Sequence, residues 1–315
     1  MRKTIDVLNK DLADYIDCLA ELCDQGHRRF RVLPFFNFDT RVEILDIDIV
    51  DQWEEQVKQL HLRNRDNLLT DLKTEYGTID FDQKVQNFKD IGAAPISIIA
   101  QYNLFERQIR SSFVSCNYYP ALTGACALGE RILNHLIFDL KEYFKKSPHY
   151  KKIYRKKSFD NWDFMLSVLT DWNVLLADVV HNFNELKLIR NRSIHFSLAT
   201  YATLRDDALS AVRLISMITG SQFGGFGTQP WFIEGTKGAP FIKKEYEKVP
   251  FVRFYYLSQS FFVGFRHSLE FNEYFRPSQI DFNDYGDGQI TDQEFCKRFN
   301  EIDQSEVARR PQRSQ

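Results

Sequence analysis

Apolar residues recur at three- and four-residue steps through the middle of the chain, which is the spacing of one face of an α-helix. Four segments show this pattern. They are residues 120–146, residues 162–172, a segment that begins at about residue 174 and runs into residues 186–196, and residues 204–218. Four amphipathic helices within roughly a hundred residues predict an up-and-down helical bundle, because each helix must bury its one apolar face against the others.

The segments on either side of these helices have other patterns. Residues 4–24 have helical spacing, residues 28–39 are typical of an extended segment, and residues 51–76 predict a polar helix. After Gly225, short aromatic and β-branched runs around glycines predict a hairpin. Residues 251–265 are apolar enough for a buried strand or a buried helix, and their periodicity does not decide between the two.

The fold class that these patterns predict is mainly α. The 315 residues exceed the usual size of one domain, so we expect more than one structural unit. We expect an N-terminal α-rich region over residues 1–110, a four-helix bundle over residues 111–222, and a C-terminal α+β extension with a polar tail over residues 223–315.

Composition and charge are those of an ordinary water-soluble protein. Charged residues make up 27% of the chain and the formal net charge is −2, so any affinity for nucleic acid must come from a local cluster. No apolar run approaches the ~18 residues of a membrane span, and the first residues lack the apolar core of a signal peptide. The five scattered cysteines form no CxxC pair, which indicates free thiols in a reducing cytoplasm.

The stretch "LKLIRNRSIHF" (186–196) places two arginines, an asparagine and a histidine at the end of an apolar helical run. Cleavage of RNA without a metal requires the 2′-hydroxyl to lose a proton and the 5′-oxygen to gain one. Histidine titrates near neutral pH, so His195 suits both steps. The guanidinium of Arg190 suits the negative charge that gathers on the reacting phosphate. The simpler interpretation is a solvated last helix turn, where arginine and histidine interact favourably with the helix dipole.

The spacing from Arg190 to His195, set in a predicted helical bundle, resembles the Rx4–6H signature of the HEPN superfamily. These proteins are metal-independent ribonucleases of bacterial toxin and antiphage systems, and the resemblance covers about residues 115–220. It implies that Arg190 and His195 are catalytic and that Asn191 fills the polar position after the arginine. It also implies that two protomers join their motifs in one cleft, without a metal or a cofactor.

Two further residues bear on this motif. On a straight helix Arg190 and His195 would point about 140° apart, so the helix must loosen near Ser193 or a dimer axis must complete the site. HEPN proteins often carry an acidic or polar residue on a neighbouring helix, and Glu130 is the candidate for that position. An exposed helix face, or an ion pair near Arg131, explains Glu130 equally well.

The segment "KEYFKKSPHYKKIYRKK" (141–157) holds eight basic residues against one acid, interleaved with aromatic residues. Basic charge beside aromatic rings favours binding of a phosphate backbone and unstacked bases. A solvated loop with its rings turned inward is an equally good interpretation. The expected RNA-binding residues are Lys151, Lys152, Arg155, Lys156, Lys157 and Arg192.

The segment "NDYGDGQITDQEF" (283–295) is similar to a calcium-binding EF-hand loop in its second half. Asn283 and Tyr285 stand at its first and third ligand positions, which leaves too little negative charge for tight calcium binding. A turn leading into a helix capped by Thr291 explains the same residues, and we favour that interpretation.

The function that these observations predict is that of a cytoplasmic, homodimeric HEPN endoribonuclease, acting as a toxin or antiphage effector. The expected partners are RNA, a second copy of the chain, and an antitoxin or defence-system protein. No metal, cofactor or membrane is expected. One alternative is a non-catalytic HEPN-type module that binds RNA, a nucleotide or a protein. Another is a calcium-responsive adaptor that depends on the loop at 283–295.

Overall fold

The structure is a computed structural model, and the chain in it divides into two compact units. The terminal unit combines Met1–Pro34 with Gly225–Gln315, and the central unit is Phe35–Gly224. The structure describes residues 25–33, 38–194, 200–226, 229–271 and 277–309.

These units do not follow the order of the chain. Residues 38–110 belong to the central unit together with the predicted bundle, and the helix Ala100–Val114 crosses the first expected boundary. The strand Arg29–Val32 belongs to the same unit as the C-terminal residues, because its backbone pairs with a strand more than two hundred residues later. The compact units therefore divide the chain differently from the expected segments, which were residues 1–110, 111–222 and 223–315.

The central unit is built from helices, and the predicted mainly α fold is confirmed. A helix is favoured here because each segment presents one apolar stripe that its neighbours can cover. In chain order the helices are α1 (Val42–Asp46), α2 (Glu55–Tyr76), α3 (Phe81–Ile91), α4 (Ala100–Val114), α5 (Tyr118–Leu140), α6 (Tyr150–Ile153), α7 (Trp162–Asp171), α8 (Ala177–Ile194) and α9 (Thr200–Phe223).

The predicted helices that fall within the described residues are found in the structure, but their bounds differ at several ends. The helix predicted over residues 51–76 begins at Glu55, and the one predicted over residues 204–218 extends over Thr200–Phe223. The helix predicted over residues 120–146 ends at Leu140, where a 3-10 helix, Lys141–Phe144, takes over. The helix predicted over residues 4–24 lies outside the described residues. Among the helices that the structure describes, none combines the length and the apolar character needed to cross a lipid bilayer.

Helix α5 lies at the centre of the unit, with α4, α7, α8 and α9 packed against it. It is apolar on most of its sides, as expected for a helix that is surrounded by others. Burying one of its leucine or isoleucine side chains stabilises the fold by about 1.5–3 kcal/mol. The buried residues of α5 are Ala121, Leu122, Ala125, Cys126, Leu128, Gly129, Ile132, Leu133, Leu136, Ile137 and Leu140.

Gly129 allows α8 and the start of α7 to approach α5 closely. A Cβ atom at Gly129 would lie 2.8 Å from Cδ2 of Leu186 and 3.0 Å from Cη2 of Trp162. Leu186 and Trp162 are themselves buried, so neither has open space to move into. This close approach brings the next residue, Glu130, beside both α7 and α8.

The terminal unit contains two short antiparallel sheets. β1 (Arg29–Val32) pairs with β2 (Ser260–Val263), and β3 (Ser268–Phe271) pairs with β4 (Pro277–Ile280). The extended segment predicted over residues 28–39 contains β1, and residues 34–37 of it lie outside the described residues. The paired residues in the first sheet are Arg29 with Val263, Phe30 with Phe262, Arg31 with Phe261, and Val32 with Ser260.

Two other predictions for the terminal unit can be compared with the structure. Residues 251–265 form both a helix, α10 (Pro250–Tyr255), and the strand β2, which is why one periodicity could not describe them. The predicted hairpin is found where Phe232 pairs with Ile242 in an antiparallel bridge.

The loop that is similar to an EF-hand leads into α11 (Asp292–Glu301). Oγ1 of Thr291 accepts a hydrogen bond from N of Glu294 at 3.1 Å, so the predicted helix cap is confirmed. The ring of Tyr285 packs so closely on Gly264 that a Cβ there would lie 2.1 Å from Cζ of Tyr285. Within the described part of the chain, no three His, Cys, Asp or Glu side chains come together as a metal site.

We expect Gly129→Val to lower the free energy of unfolding by about 1–3 kcal/mol, because the added methyl groups overfill the contact with Leu186 and Trp162. Urea unfolding followed by circular dichroism measures the loss. Ala127→Val is the matched control, since Ala127 is on the same helix but exposed. Equal losses in the two variants would show that helix propensity, and not the close approach, sets the cost.

Candidate functional site

Arg190, the arginine of the motif, lies near the end of α8 and contacts both α5 and α7. Its Nη2 donates to Oε2 of Glu130 at 3.2 Å, and its guanidinium lies 5.8 Å from the ring centroid of Trp162. Nε1 of Trp162 donates to the same carboxylate oxygen at 3.1 Å. The structure thus brings together two of the predicted site residues, Arg190 and Glu130. It adds Trp162, which the sequence patterns had not singled out.

The start of α7 is fixed by two asparagines. Oδ1 of Asn161 accepts a hydrogen bond from N of Phe164 at 2.9 Å and caps the helix. Asn134 of α5 holds the preceding segment: its Oδ1 accepts from N of Phe159 at 2.7 Å, and its Nδ2 donates to O of Phe159 at 2.9 Å. These backbone contacts place Trp162 at the first position of α7, against Glu130.

A buried cysteine lies one turn before Glu130 on α5. Burial raises the pKa of the Cys126 thiol to about 12, although the positive charge of Arg190 acts in the opposite direction. The thiol is therefore protonated at neutral pH, and a protonated thiol is a poor nucleophile. Cys126 contributes packing to this site and no thiolate chemistry.

Of the two residues that follow Arg190, one faces solvent and the other binds a carboxylate. The Asn191 side chain is exposed. Nη2 and Nε of Arg192 donate to Oδ1 of Asp207 at 2.6 Å and 3.1 Å, while 57% of the Arg192 side chain stays accessible. The other predicted catalytic residue, His195, lies outside the described residues.

Asp207 links the end of α8 to the start of α9. Its Oδ2 accepts hydrogen bonds from Oγ of Ser193 at 2.7 Å and from Oγ1 of Thr203 at 3.1 Å. Burial by itself would raise the pKa of the Asp207 carboxyl. The hydrogen bonds from Arg192, Ser193 and Thr203 outweigh burial and lower that pKa below its ordinary value. Sequence reasoning missed Asp207, because the neighbouring Asp206 is also an aspartate and nothing local distinguishes the two.

The expected RNA-binding side chains of the basic segment lie on the surface. Tyr154 is 41% exposed beneath Arg155, whose Cζ lies 5.0 Å from the ring centroid. Phe144, in contrast, stacks on Trp172 with ring centroids 4.5 Å apart. Some aromatic rings of the segment thus accompany the charges and others pack inward. All five residues expected to bind RNA in this segment are exposed: Lys151, Lys152, Arg155, Lys156 and Lys157.

The second copy of the arginine pattern gives an internal comparison. Arg63 occupies the position that corresponds to Arg190, in "LRNR" at residues 62–65 of α2. Its side chain is exposed. Arg190 differs because it is three-quarters covered, with 25% of its side chain exposed, and because Glu130 and Trp162 hold it.

Comparison of the chain with models of protein families, with curated proteins and with solved structures found no match. The geometry alone therefore indicates what the site can do. A guanidinium has five N–H donors, and Glu130 receives one of those of Arg190. The remaining donors suit the oxygens of a phosphate group, which arginine binds with two parallel hydrogen bonds.

We expect Asp207→Asn to lower the free energy of unfolding by about 1–3 kcal/mol at neutral pH, since the amide loses the charge and one acceptor. The folded-state pKa of Asp207 is lowered. Its stabilising contribution is therefore present above the unfolded-state pKa of about 4 and is lost as the pH falls through the folded-state pKa. Urea unfolding of both proteins over a series of pH values should show the difference shrinking on acidification.

Asp206→Asn is the control for this measurement, because 82% of the Asp206 side chain is exposed. We expect it to change the free energy of unfolding by less than about 0.5 kcal/mol at any pH. A pH-independent cost for Asp207→Asn, or an equal cost for the control, would contradict the role assigned to Asp207.

Proposed function

We propose that this chain is a metal-independent endoribonuclease of the HEPN type, in which Arg190 and His195 cleave RNA by means of its 2′-hydroxyl. The observation that carries the proposal is the hydrogen bond between Arg190 and Glu130 at the end of α8. It holds a phosphate-binding side chain among packed helices, five residues before the histidine of the motif. Asp207 supports the proposal because it anchors Arg192 and Ser193, the residues between them.

In the proposed reaction, His195 takes the proton of the 2′-hydroxyl, which then attacks the adjacent phosphorus. The bond from phosphorus to the 5′-oxygen breaks, and that oxygen gains a proton from an imidazolium. The products are a 2′,3′-cyclic phosphate and a 5′-hydroxyl. The guanidinium of Arg190 binds the oxygens on which negative charge develops. Glu130 acts on Arg190 and keeps it oriented, as a positioning residue.

The helices around the motif suit the proposed class. α5, α7, α8 and α9 pack together as four helices of the central unit, with the basic segment between α5 and α7. Lys151, Lys152 and the basic residues after them would attract RNA to this end of the helices. We further propose a homodimer in which two copies of the motif face each other, and a cytoplasmic toxin or antiphage role with RNA as the substrate.

A second function is favoured by one specific observation. The charge of Arg190 is already matched by Glu130, and its guanidinium already covers Trp162. Such an arrangement also serves a helical module that binds RNA, a nucleotide or a protein and does no chemistry. Substitution of His195 distinguishes the two functions, because it should abolish RNA cleavage by a nuclease, whereas a binding module has no cleavage to lose.

We expect Arg190→Ala and His195→Ala each to lower the rate of RNA cleavage by at least about 10²-fold, because acid–base catalysis alone contributes about 10²–10⁴-fold. Purified wild type and variants are incubated with total RNA and with a labelled oligonucleotide, and fragments are resolved by electrophoresis. Growth of bacteria that express each protein gives a second measurement.

The control for this comparison is Arg63→Ala, which removes the corresponding arginine of "LRNR" at residues 62–65. We expect it to cleave RNA like wild type, because Leu68 stands where that copy would need a histidine. If His195→Ala cleaves as fast as Arg63→Ala, the nuclease is refuted and the binding module is favoured.

We expect cleavage to continue in the presence of EDTA and to leave a 2′,3′-cyclic phosphate on the upstream fragment, since the proposed steps use only Arg190 and His195. The fragment ends are identified by mass spectrometry. Loss of activity in EDTA that magnesium or calcium restores would contradict the proposed mechanism and would direct attention to the loop at 283–295.

A further inference from the structure

A cavity of the central unit has α2, α3 and α4 in its walls and is lined by none of the motif residues. Its volume is about 710 Å³, within the range of small-molecule sites. Three charged residues from two successive turns of α4 line the cavity: Glu106, Arg107 and Arg110. No step of the proposed RNA cleavage uses this cavity.

The acidic groups in the wall are already bound. Nε and Nη2 of Arg41 donate to the two carboxylate oxygens of Asp39 at 3.0 Å and 2.8 Å, and Nη1 of Arg41 donates to Glu75 at 3.0 Å. Glu106 accepts from Oγ of Ser216 at 2.6 Å and from Thr219 at 2.9 Å. These carboxylates are therefore matched by donors of their own.

The two arginines on α4 are not matched in the same way. Arg110 is 6% exposed, and its guanidinium donates to O of Ile91, O of Gly92 and Oγ of Ser216. No carboxylate of a described residue lies within 4 Å of it. Burial lowers the pKa of the guanidinium from its ordinary value, although the negative charges of Glu106 and Asp39 act in the opposite direction. Within the described ranges, Arg107 has neither a hydrogen bond nor an ion pair, and it is exposed at the cavity.

The positions of Arg107 and Arg110 place both on one side of α4, because residues three apart share a helix face. Beside them the cavity has apolar wall, formed by Ile91, Pro95 and Val114. Burial raises the pKa of Glu106 above its ordinary value, although the hydrogen bonds from Ser216 and Thr219 and the charge of Arg110 act in the opposite direction. An anion in this cavity meets two guanidinium groups and an apolar surface.

We propose that this cavity binds a small organic anion, whose phosphate or carboxylate group lies between Arg107 and Arg110 and whose ring or hydrocarbon part lies against Ile91, Pro95 and Val114. The anion supplies a negative charge beside Arg107, which has no carboxylate partner among the described residues. Bidentate hydrogen bonds to a guanidinium fit both phosphates and carboxylates. The apolar wall favours an anion with a hydrophobic part over a bare inorganic ion.

Isothermal titration of the full chain tests the proposal with phenyl phosphate, benzoate, inorganic phosphate and benzylamine as probes. We expect phenyl phosphate or benzoate to bind with a Kd of about 1 mM or lower. The tighter of the two identifies the anionic group. Inorganic phosphate should bind more weakly because it lacks the apolar part, and benzylamine should not bind because its charge has the wrong sign.

The deciding variant is Arg107→Gln, which removes an exposed guanidinium and should leave folding intact. We expect it to raise the Kd of the better probe by at least about tenfold, since a charge-assisted hydrogen bond is lost. Arg63→Gln removes the same charge from the exposed face of α2, and its Kd should equal that of wild type. Equal affinities of the two variants, binding of benzylamine as tight as that of the anions, or no binding of any probe would each overturn the proposal.

Discussion

The burial of α5 is the constraint on which the rest of the central unit depends. A helix that is apolar on most of its sides must be covered on most of its sides, and α4, α7, α8 and α9 provide that cover. The side chains on the surface of α5 determine how closely each neighbour packs. At Gly129, which has no side chain, Leu186 of α8 and Trp162 of α7 pack directly against the backbone of α5. Polar side chains near this helix are largely removed from water, so partners within the packing stabilise them.

Polar groups next to the central helix show how that requirement is met. Glu130 is the acceptor for Arg190 and Trp162, and Asn134 satisfies both backbone groups of Phe159. These bonds join α5 to α8, to α7 and to the segment before α7, so the polar contacts also fix where those neighbours lie. A side chain that reaches out of such a packing is held more tightly than one on a free surface, as the contrast between Arg190 and Arg63 illustrates.

Four helices of the central unit, α5, α7, α8 and α9, could be predicted because each leaves a 3.6-residue period in the sequence. The polar helix α2 was also predicted, whereas α1, α3, α4 and α6 were not. The motif also pointed to Arg190 and Glu130, which do lie together. The roles of Asp207 and of Arg107 and Arg110 in the cavity beside α4 could not be predicted in this way, because they depend on contacts between distant segments. Asp206 and Asp207 are adjacent residues of the same type, yet the Asp206 side chain is exposed and the Asp207 side chain is buried. The pairing of β1 with β2 is equally non-local, which is why the expected boundaries did not match the compact units.

The position of Trp162 has an optical consequence. Indole fluorescence responds to hydrogen bonding at Nε1 and to charge near the ring, and Trp162 has both from Glu130 and Arg190. The chain has only four tryptophans, so replacement of the other three by phenylalanine would leave Trp162 as a single emitter. The site thus contains its own spectroscopic probe. Its emission would follow any event that draws Arg190 away from Glu130, including the arrival of a phosphate, without an attached label.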